Sequence, residues 1–490
     1  MNLSTIIGLL LGLGLIGSAA FISASEAGLS LMKLWSFVSL LIVVGGALAA
    51  TAIAFKLSEV LSIFKSLSRI FADDDYVLKD IVLDFISLAA SHRKGELGKV
   101  LEEIPESMPF RLKVIKIGCQ YISEGMKKDD IRDILENSLN GQRPSPEDCL
   151  RLLESDDVQL MGLVSGHLTK KQFGKKASFI NNIILNYTNV CITDCKFCAF
   201  YRSPGDAESY TLSLDQIESR VKAASEMFKI RQVLIQGGHN PNLPIEYYED
   251  AFKMIREKFP TVGVHGLSTS EIDMIAKVEK SSTKEILSRL KDAGLQSIPG
   301  AGAEILTDSV KDIISPKKIS SADWIRIMDE AHSLGIPGSA TMMYGSVENN
   351  NDIVEHFSKI VKLQEKTNGF MAFIPWNFEP NNTLMQDEGI VEYGTGGTQL
   401  LKMIAISRLV LNGLISHIQS SWLTNGVGMA QLALQYGADD FGGTLIGEEV
   451  VSCTGARSTE LTDKIIIDAI HQIGYQVEER DNFYNPIRVL

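Results

Sequence analysis

Positive charge and cysteine are both scarce in this chain. It has 47 lysine and arginine residues against 60 aspartate and glutamate residues, and its net charge is −13 over 490 residues. No basic cluster is dense enough to follow a phosphate backbone, which argues against a nucleic-acid partner. Cysteines number six. After residue 56, no mainly apolar run reaches the roughly 20 residues that cross a bilayer as a helix.

Apolar sequence is concentrated at the amino terminus. Residues 1–25 contain no charged side chain, and residues 34–55 form a second uncharged run. Each run has about the length of a transmembrane helix, so two spans are predicted within residues 1–56. A signal peptide is the alternative for the first run, but no basic residues lead it and a second span follows almost at once. Basic residues from Lys56 onward follow the second run, which predicts cytoplasmic chain ends and an inner-membrane location.

The remainder divides at a turn-forming stretch. Residues 57–140 are polar with apolar residues at helical spacing, which predicts a helical cytoplasmic segment. Glycine, proline and serine at 141–146 are typical of a linker. Residues 147–490 are then expected to form the last and largest domain, which lies in the cytoplasm.

Short apolar runs alternate with amphipathic helices after residue 146. The predicted strands are 182–187, 232–236, 262–265, 296–298, 339–343, 369–374 and 417–420. The predicted helices are 146–155, 213–228, 244–258, 283–293, 322–334, 351–367 and 397–412. This alternation is typical of a parallel sheet with crossover helices. The predicted fold class is therefore α/β, a TIM-like (β/α) barrel preceded by the two transmembrane helices and the small helical segment.

Three cysteines, Cys191, Cys195 and Cys198, follow the first predicted strand, at the carboxyl-terminal mouth of the barrel. Thiolates at this spacing can hold three corners of a four-iron cluster and leave the fourth iron open. An open iron can bind S-adenosylmethionine through its amino and carboxylate groups. A structural zinc site is the alternative, but the sequence has no second cysteine pair to complete it. Disulfides are not expected in a cytosolic domain.

Further candidate residues lie at strand ends on the same face. Gln236, Gly237 and Gly238 follow the second predicted strand, where two glycines let backbone carbonyls approach the amino group of S-adenosylmethionine. An ordinary turn is the alternative. Glu304 is a candidate acceptor for the ribose hydroxyls, or an acidic residue that opens the next helix. Phe197, between two cysteines, is a candidate for packing against adenine or in the core.

Segments around these residues carry a specific resemblance. NYTNVC at 186–191, CAFYR at 198–202 and PGAGAEI at 299–305 resemble the radical S-adenosylmethionine enzymes of the futalosine route to menaquinone. FIPWNFEPNNT at 373–383, QSSW at 419–422 and GADDFGGT at 437–444 resemble one family of that route, the cyclic dehypoxanthinyl futalosine synthases. The resemblance covers about residues 146–490. The sibling family, aminofutalosine synthase, is the alternative.

The resemblance implies a reaction and a substrate. One electron from a low-potential reductant cleaves S-adenosylmethionine to methionine and a 5′-deoxyadenosyl radical. In the cyclase family this radical removes hydrogen from C4′ of the ribose in dehypoxanthine futalosine. The carbon radical attacks the neighbouring aromatic ring, and loss of an electron and a proton gives the cyclic product.

Five residues are candidates for handling this substrate. Trp376, Phe378 and Trp422 are predicted to pack against it, with ordinary core packing as the alternative for each. Arg202 is a candidate partner for the substrate carboxylate, or a solvated side chain. His265, at the end of the third predicted strand, is a candidate acceptor for the final proton, or a structural histidine.

A second resemblance covers the first 140 residues. LIVVGG at 41–46, RKGEL at 93–97 and DIRDILE at 130–136 resemble the amino-terminal half of the flagellar stator A subunit. That family has four spans, and its later two supply the ion path. This sequence offers no further span, so a two-span anchor, a gene fusion or a gene-model error is expected. A membrane interaction or ion-channel protein is the alternative function of another class.

Overall fold

The computed structural model describes residues 131–455 and 460–490. The predicted spans within 1–56 and nearly all of the predicted helical segment 57–140 lie outside these ranges. Among the described residues, none of the helices has the length and apolar character to cross a membrane. The described residues belong to one compact unit, Lys128–Leu490. The predicted linker 141–146 therefore lies within this unit.

Helices and strands alternate through most of the unit. The helices are α1 (Arg132–Leu139), α2 (Pro146–Glu154), α3 (Val158–Phe173), α4 (Leu214–Phe228), α5 (Ile245–Lys258), α6 (Thr269–Glu279), α7 (Thr283–Ala293), α8 (Asp308–Ile314), α9 (Ser321–Ser333), α10 (Asn350–Thr367), α11 (Leu384–Asp387), α12 (Gly397–Leu411), α13 (Trp422–Gln435) and α14 (Asp463–Gln472). The strands are β1 (Lys176–Ile180), β2 (Asn182–Asn186), β3 (Gln232–Gln236), β4 (Gly263–Gly266), β5 (Gly338–Tyr344), β6 (Phe370–Asn377), β7 (His417–Ile418), β8 (Asp440–Gly443), β9 (Gln476–Arg480) and β10 (Pro486–Val489).

Helix starts are fixed by side-chain caps at the ends of loops. Ser213 accepts a hydrogen bond from the Gln216 backbone N–H, and the Gln216 side chain accepts one from the Ser213 N–H. Ser268 and Glu271 form the same reciprocal pair at the start of α6. These caps pair backbone donors that a helix cannot pair internally, and each contributes about 1 kcal/mol. They hold the loops between strand and helix at defined lengths.

Parallel pairing closes the strands into a ring. The sheets are β2-β3-β4, β5-β6-β7 and β8-β1-β9, the last extended by antiparallel β10. Single residue pairs join one sheet to the next: Ile183 with Ile446, His265 with Ser297, Ile298 with Gly338, and Gln419 with Asp440. The predicted (β/α) barrel is confirmed. Because its strands are parallel, their carboxyl ends meet at one mouth.

The last residues of the chain fill the opposite end of the barrel. Arg480 forms hydrogen bonds with both carboxylate oxygens of Asp440, at 2.5 and 3.1 Å. Its guanidinium carbon lies 3.7 Å from the centroid of the Tyr484 ring, and that ring stacks on His417 at 4.4 Å. The Asn482 side chain accepts from Gln232 at 2.7 Å. These contacts place the carboxyl-terminal residues beneath the mouth.

Most predicted elements agree closely with the structure, but the predicted strand 296–298 is reduced to single residue pairs at Ser297 and Ile298, and the position of the cysteine loop is corrected. The predicted strand 232–236 and helix 283–293 match β3 and α7 at both ends. The cysteine loop follows β2 rather than the first strand, because β1 precedes it. β1 begins at the exposed Lys176, and Ser178 interrupts its apolar residues, so it lacks the continuous apolar run that marked β2.

Candidate active site

A cavity of about 390 Å³ opens at the carboxyl-terminal mouth of the barrel. Its wall is mainly apolar, with polar groups contributed by the ends of several strands. Eleven of the thirteen predicted site residues line it: Cys191, Cys195, Phe197, Cys198, Gln236, Gly237, Gly238, His265, Glu304, Trp376 and Trp422. The remaining two, Arg202 and Phe378, lie elsewhere. Large pockets with a few convergent polar groups are the usual place for a ligand.

The cysteine loop is held from both sides by backbone hydrogen bonds. The Cys191 N–H donates to the Arg202 carbonyl at 2.9 Å, and its sulfur lies 2.9 Å from the Thr193 hydroxyl. The Cys198 N–H donates to the Cys195 carbonyl at 3.0 Å. Burial raises the pKa of the Cys195 thiol to about 12, and the neighbouring cysteines add to this effect. Three thiols so placed would be stabilised as thiolates by bound iron.

These three thiols suit a cluster better than a single ion. Among the residues that the structure describes, no group of three or more His, Cys, Asp or Glu side chains has the geometry of a single-metal site. A four-iron cluster needs a different arrangement, because each thiolate binds its own iron. The three cysteines that line one cavity from one loop meet that need.

The Gly-Gly segment after β3 lies against the cysteine loop. The Gly237 N–H donates to a carboxylate oxygen of Glu271 at 2.9 Å, and the Gly238 N–H donates to the Thr188 carbonyl at 2.9 Å. A Cβ atom on Gly238 would lie 2.2 Å from the Val190 carbonyl oxygen. Glycine is therefore required here by close backbone approach.

Glu304 is buried and pairs with two lysines. Its carboxylate accepts from Lys318 at 2.9 Å, and its second oxygen lies 3.6 Å from the Lys311 ammonium. Burial alone would raise the pKa of Glu304, but the two positive charges outweigh burial and lower it. The carboxylate is thus charged at the cavity wall. Its backbone has φ of +42°, a left-handed conformation that a non-glycine residue adopts only where its surroundings hold it.

The far wall of the cavity is aromatic. Trp422 is 2% exposed and its ring N–H donates to the Gly443 carbonyl at 2.9 Å. Trp376 is partly exposed at the end of β6. Phe378, two residues further on, is 1% exposed and packs in the core rather than at the cavity. Trp376 and Trp422 line the cavity, with Trp376 the more exposed of the two, and Phe378 does not line it.

His265 lies in the cavity wall and is hydrogen bonded from beneath. Its Nδ1 atom is 2.7 Å from the Ser297 hydroxyl, which in turn accepts from the Asn482 side chain at 2.9 Å. Burial, together with the charge of Arg480, lowers the pKa of His265 to about 3. The imidazole is therefore neutral near pH 7 and can act as a proton acceptor.

Comparison with known proteins places this site in a family. Residues 185–360 match the model of the Radical SAM superfamily, and residues 367–489 match the model of the CofH/MqnC C-terminal region. A cyclic dehypoxanthine futalosine synthase from Streptomyces coelicolor is 37% identical over 74% of this chain and 90% of its own length. The chain belongs to the radical SAM family of the cyclic dehypoxanthine futalosine synthases. Radical SAM enzymes use a [4Fe-4S] cluster and S-adenosylmethionine, and the three-cysteine loop fits that cluster.

Other relatives of this radical SAM enzyme are similarly close. A cyclic dehypoxanthine futalosine synthase from Halalkalibacterium halodurans is 39% identical over 73% of this chain and 95% of its own. A 5-amino-6-(D-ribitylamino)uracil–L-tyrosine 4-hydroxyphenyl transferase from Methanothermobacter thermautotrophicus is 37% identical over 68% of this chain and 90% of its own. The predicted membership of the radical SAM family is confirmed, and both matched family regions lie within the barrel unit.

Two solved structures share the fold of this unit. HydG, a maturase of the [FeFe]-hydrogenase, superposes with a TM-score of 0.58 at 17% identity over 72% of this chain and 77% of that chain. Methylornithine synthase (PylB) gives 0.54 at 16% identity over 70% and 96%. At these identities the likeness shows the fold alone.

Arg202 has a role in the radical SAM loop that the sequence did not indicate. Its Nη1 atom donates to the Tyr201 carbonyl at 2.9 Å and lies 3.3 Å from the Ala199 carbonyl. Its Nε atom donates to Glu208 at 2.8 Å. With these contacts made, Arg202 closes the turn after Cys198, and it is not among the residues that line the cavity.

Several radical SAM site residues escaped the sequence analysis. Glu271 binds the Tyr187 hydroxyl and the Gly237 N–H, and it lines the cavity. Ser-x-x-Glu spacing was a visible signal, but it indicates a helix cap and not a site. Lys318 and Lys311 gave no signal, because only the fold brings them to Glu304.

Proposed function

We propose that this enzyme converts dehypoxanthine futalosine to its cyclic product. The observation that carries the proposal is that a three-cysteine loop and two tryptophans face one mainly apolar cavity. Relatives named for this activity are 37% and 39% identical along most of their length. The substrate is an aromatic ring joined to a sugar, so flat apolar walls beside polar strand ends suit it.

The residues of the chain have separate tasks in this reaction. When bound, the cluster and S-adenosylmethionine supply an electron and the adenosyl radical that removes hydrogen from ribose C4′. Cys191, Cys195 and Cys198 would hold the cluster, while Gly237 and Gly238 allow close approach of the methionine end. Gln236 would lie with the two glycines at the methionine end, and Phe197 and Glu304 would contact the nucleoside part.

The tryptophans fix the geometry of ring closure. Trp376 and Trp422 would hold the substrate's aromatic ring against its ribose, so that the carbon formed at C4′ meets the ring and not the protein. An apolar wall also excludes water from the reacting carbon. Orientation of this kind can supply a large part of rate enhancement.

His265 is proposed to accept the proton that leaves the cyclised ring. Its Nδ1 atom is engaged by Ser297, which leaves Nε2 as the remaining ring nitrogen. The imidazole is neutral over the physiological range and so can accept a proton, but its lowered pKa makes it a weaker base than a solvated histidine. The electron lost in the same step needs a one-electron acceptor, and the oxidised cluster held by Cys191, Cys195 and Cys198 would supply it. A low-potential reductant supplies the electron that starts the reaction.

Anaerobic reconstitution tests the proposal directly. The expected result is about four irons per chain, a brown chromophore and a product of the mass of the cyclic compound from dehypoxanthine futalosine. Cys195→Ala should abolish iron binding, whereas the matched variant Cys149→Ala, in buried and distant α2, should retain it. Uptake of zinc without iron would refute the cluster.

The same assay distinguishes the sibling reaction. An aminodeoxyfutalosine synthase from Thermus thermophilus is 34% identical over 74% of this chain and 98% of its own length. Incubation with the substrate of that family should give no product. Turnover of that substrate, with none of dehypoxanthine futalosine, would replace the proposed reaction with the sibling one.

We further propose that residues 1–56 anchor the enzyme to the inner membrane and place the barrel in the cytoplasm, with residues 57–140 as a helical connection. The support is the two uncharged runs in the sequence. Fractionation of native cells with an antibody to the barrel tests it. Full-length enzyme in the membrane fraction after a high-salt wash is expected. Full-length enzyme in the supernatant would refute the anchor.

A further inference from the structure

Two lysines and one glutamate lie buried together beside the cysteine loop. The side chains of Lys311, Glu304 and Lys318 are 4%, 5% and 14% exposed. Lys318 donates to one oxygen of Glu304 at 2.9 Å, and Lys311 lies 3.6 Å from the other and donates to the Gly302 carbonyl at 2.9 Å. With both amines protonated, this triad carries one net positive charge.

A buried net charge is costly unless an opposite charge lies nearby. The triad's own carboxylate neutralises one ammonium and leaves the other. Lys318 lines the same cavity as Cys191, Cys195 and Cys198. When iron is bound, these cysteines are thiolates and supply negative charge on that side of the triad.

The backbone fixes the triad against the cysteine loop. The Lys196 N–H donates to the Ile314 carbonyl at 2.9 Å, which ties the middle of the loop to the end of α8, the helix that carries Lys311. The Lys318 ammonium lies 5.2 Å from the centroid of the Phe197 ring. Phe197 is part of the cysteine loop, between Cys195 and Cys198. The charge is thus held in place and largely shielded from water.

We propose that the triad of Lys318, Lys311 and Glu304 raises the reduction potential of the cluster that the cysteine loop binds. One electron from the external low-potential donor converts the cluster core from the 2+ to the 1+ state, so the site becomes more negative by one charge. A fixed positive charge nearby favours the more negative form, and it acts strongly where water is excluded. The proposal rests on the cluster of the proposed function, and not on which substrate the enzyme takes.

Substitution of Glu304 tests the direction of the effect on the reduction potential. It cancels one of the two ammonium charges, so its removal should act opposite to removal of a lysine. Glu304→Gln leaves two net positive charges in the triad and should shift the potential upward. Lys318→Met leaves none and should shift it downward. If the triad only packed against the cysteine loop, the two variants would have no reason to shift the potential in opposite directions.

The test is a redox titration of the reconstituted full-length enzyme, followed by the paramagnetic resonance signal of the reduced cluster, without S-adenosylmethionine. Lys318→Met should titrate at a more negative potential than wild type and Glu304→Gln at a more positive one. Lys317→Met is the matched control. Lys317 is the neighbour of Lys318 in sequence, is 58% exposed and pairs with Asp194, so solvent screens its charge and the potential should not move.

Two results would overturn the proposal. One is equal potentials for wild type, Lys318→Met and Glu304→Gln at equal iron content. The other is a shift that appears only after S-adenosylmethionine is added, because the triad would then act on that ligand. Should Lys318→Met lose its iron, Lys311→Met takes its place and the same downward shift is expected. If the reduction potentials of the variants shift as expected but wild type forms no cyclic product, only the proposed substrate is refuted.

Discussion

The Nδ1 atom of His265 lies 2.7 Å from the hydroxyl of Ser297, on the neighbouring strand position of the barrel. The Asn482 side chain, which comes from the opposite end of the barrel, donates a hydrogen bond to the same hydroxyl at 2.9 Å. A residue close to the end of the chain thereby orients a histidine in the cavity wall. The orientation and the tautomer of an imidazole depend on such a partner.

Removal of the Ser297 hydroxyl should impair ring closure without preventing cleavage of S-adenosylmethionine. Ser297→Ala frees the Nδ1 atom of His265, so the imidazole loses its fixed orientation. The ratio of cyclic product to 5′-deoxyadenosine is expected to fall about tenfold, which corresponds to about 1.4 kcal/mol in the proton-transfer step. Chromatography of both products measures the ratio. Ser333→Ala, at an exposed position, is the control, and an unchanged ratio in Ser297→Ala would contradict the role of His265.

Buried histidines should make the fold sensitive to acid. Burial lowers the pKa of His356 from 6.5 to about 3, since the charged ring cannot be solvated in the core. The unfolded chain therefore binds the proton first, so stability is full above pH 6.5 and declines as the pH falls toward 3. The decline is at most about 1.4 kcal/mol per pH unit for each such group.

His356→Gln tests this acid sensitivity. The variant should show a smaller loss of unfolding free energy between pH 7 and pH 5 than wild type, as measured by urea denaturation. His471→Gln removes an exposed histidine and is the comparison, with a pH dependence like that of wild type. Equal pH dependence in all three proteins would show that His356 is not protonated on unfolding in this range.

Gly238 is expected to tolerate no side chain. Alanine there would place a methyl group 2.2 Å from the Val190 carbonyl oxygen and 3.0 Å from Cys191 Cβ. Overpacking of this kind costs about 1–3 kcal/mol and here would displace the first cysteine of the loop. Gly238→Ala should reduce iron content several-fold, as measured by iron analysis after reconstitution. Gly428→Ala, where no atom lies within 4 Å of the new methyl group, should retain the wild-type value.

Arg202 is expected to affect the cysteine loop rather than the substrate. Arg202→Lys keeps the charge but loses the fork that reaches several carbonyls of the turn. Iron content should fall, while the KM for substrate of the enzyme that retains iron stays within about twofold of wild type. Arg326→Lys, at an exposed position of α9, is the control. A raised KM at normal iron content would restore Arg202 as the partner of the substrate carboxylate.

Local sequence predicted the repeating part of the fold well. The run QVLIQ at β3 is bounded by polar residues and is apolar throughout its centre, so its limits were readable. β9 was missed for the opposite reason. Its residues read as QVEER, yet Glu479 and Arg480 are buried and paired with charges from distant parts of the chain. No local pattern carries such pairs.

The site was predictable where its chemistry is local in sequence. Three cysteines within eight residues are such a signal, and so are the two consecutive glycines, Gly237 and Gly238. The triad was not, because Glu304 reads as a cofactor contact until Lys311 and Lys318 are placed beside it. The contacts of Arg202 were not predictable for a related reason, since most of its hydrogen-bond partners are backbone carbonyls, which every residue has.

β1 pairs with two strands, β8 and β9, that come much later in the sequence and are therefore synthesised much later. Residues 176–180 leave the ribosome early, but their partners at 440–443 and 476–480 are among the last to be made. The barrel therefore cannot close while the chain is still being translated, and strand contacts so distant in sequence form slowly. The cysteine loop therefore lies in a barrel that is complete only when β1 has paired with strands far along the chain.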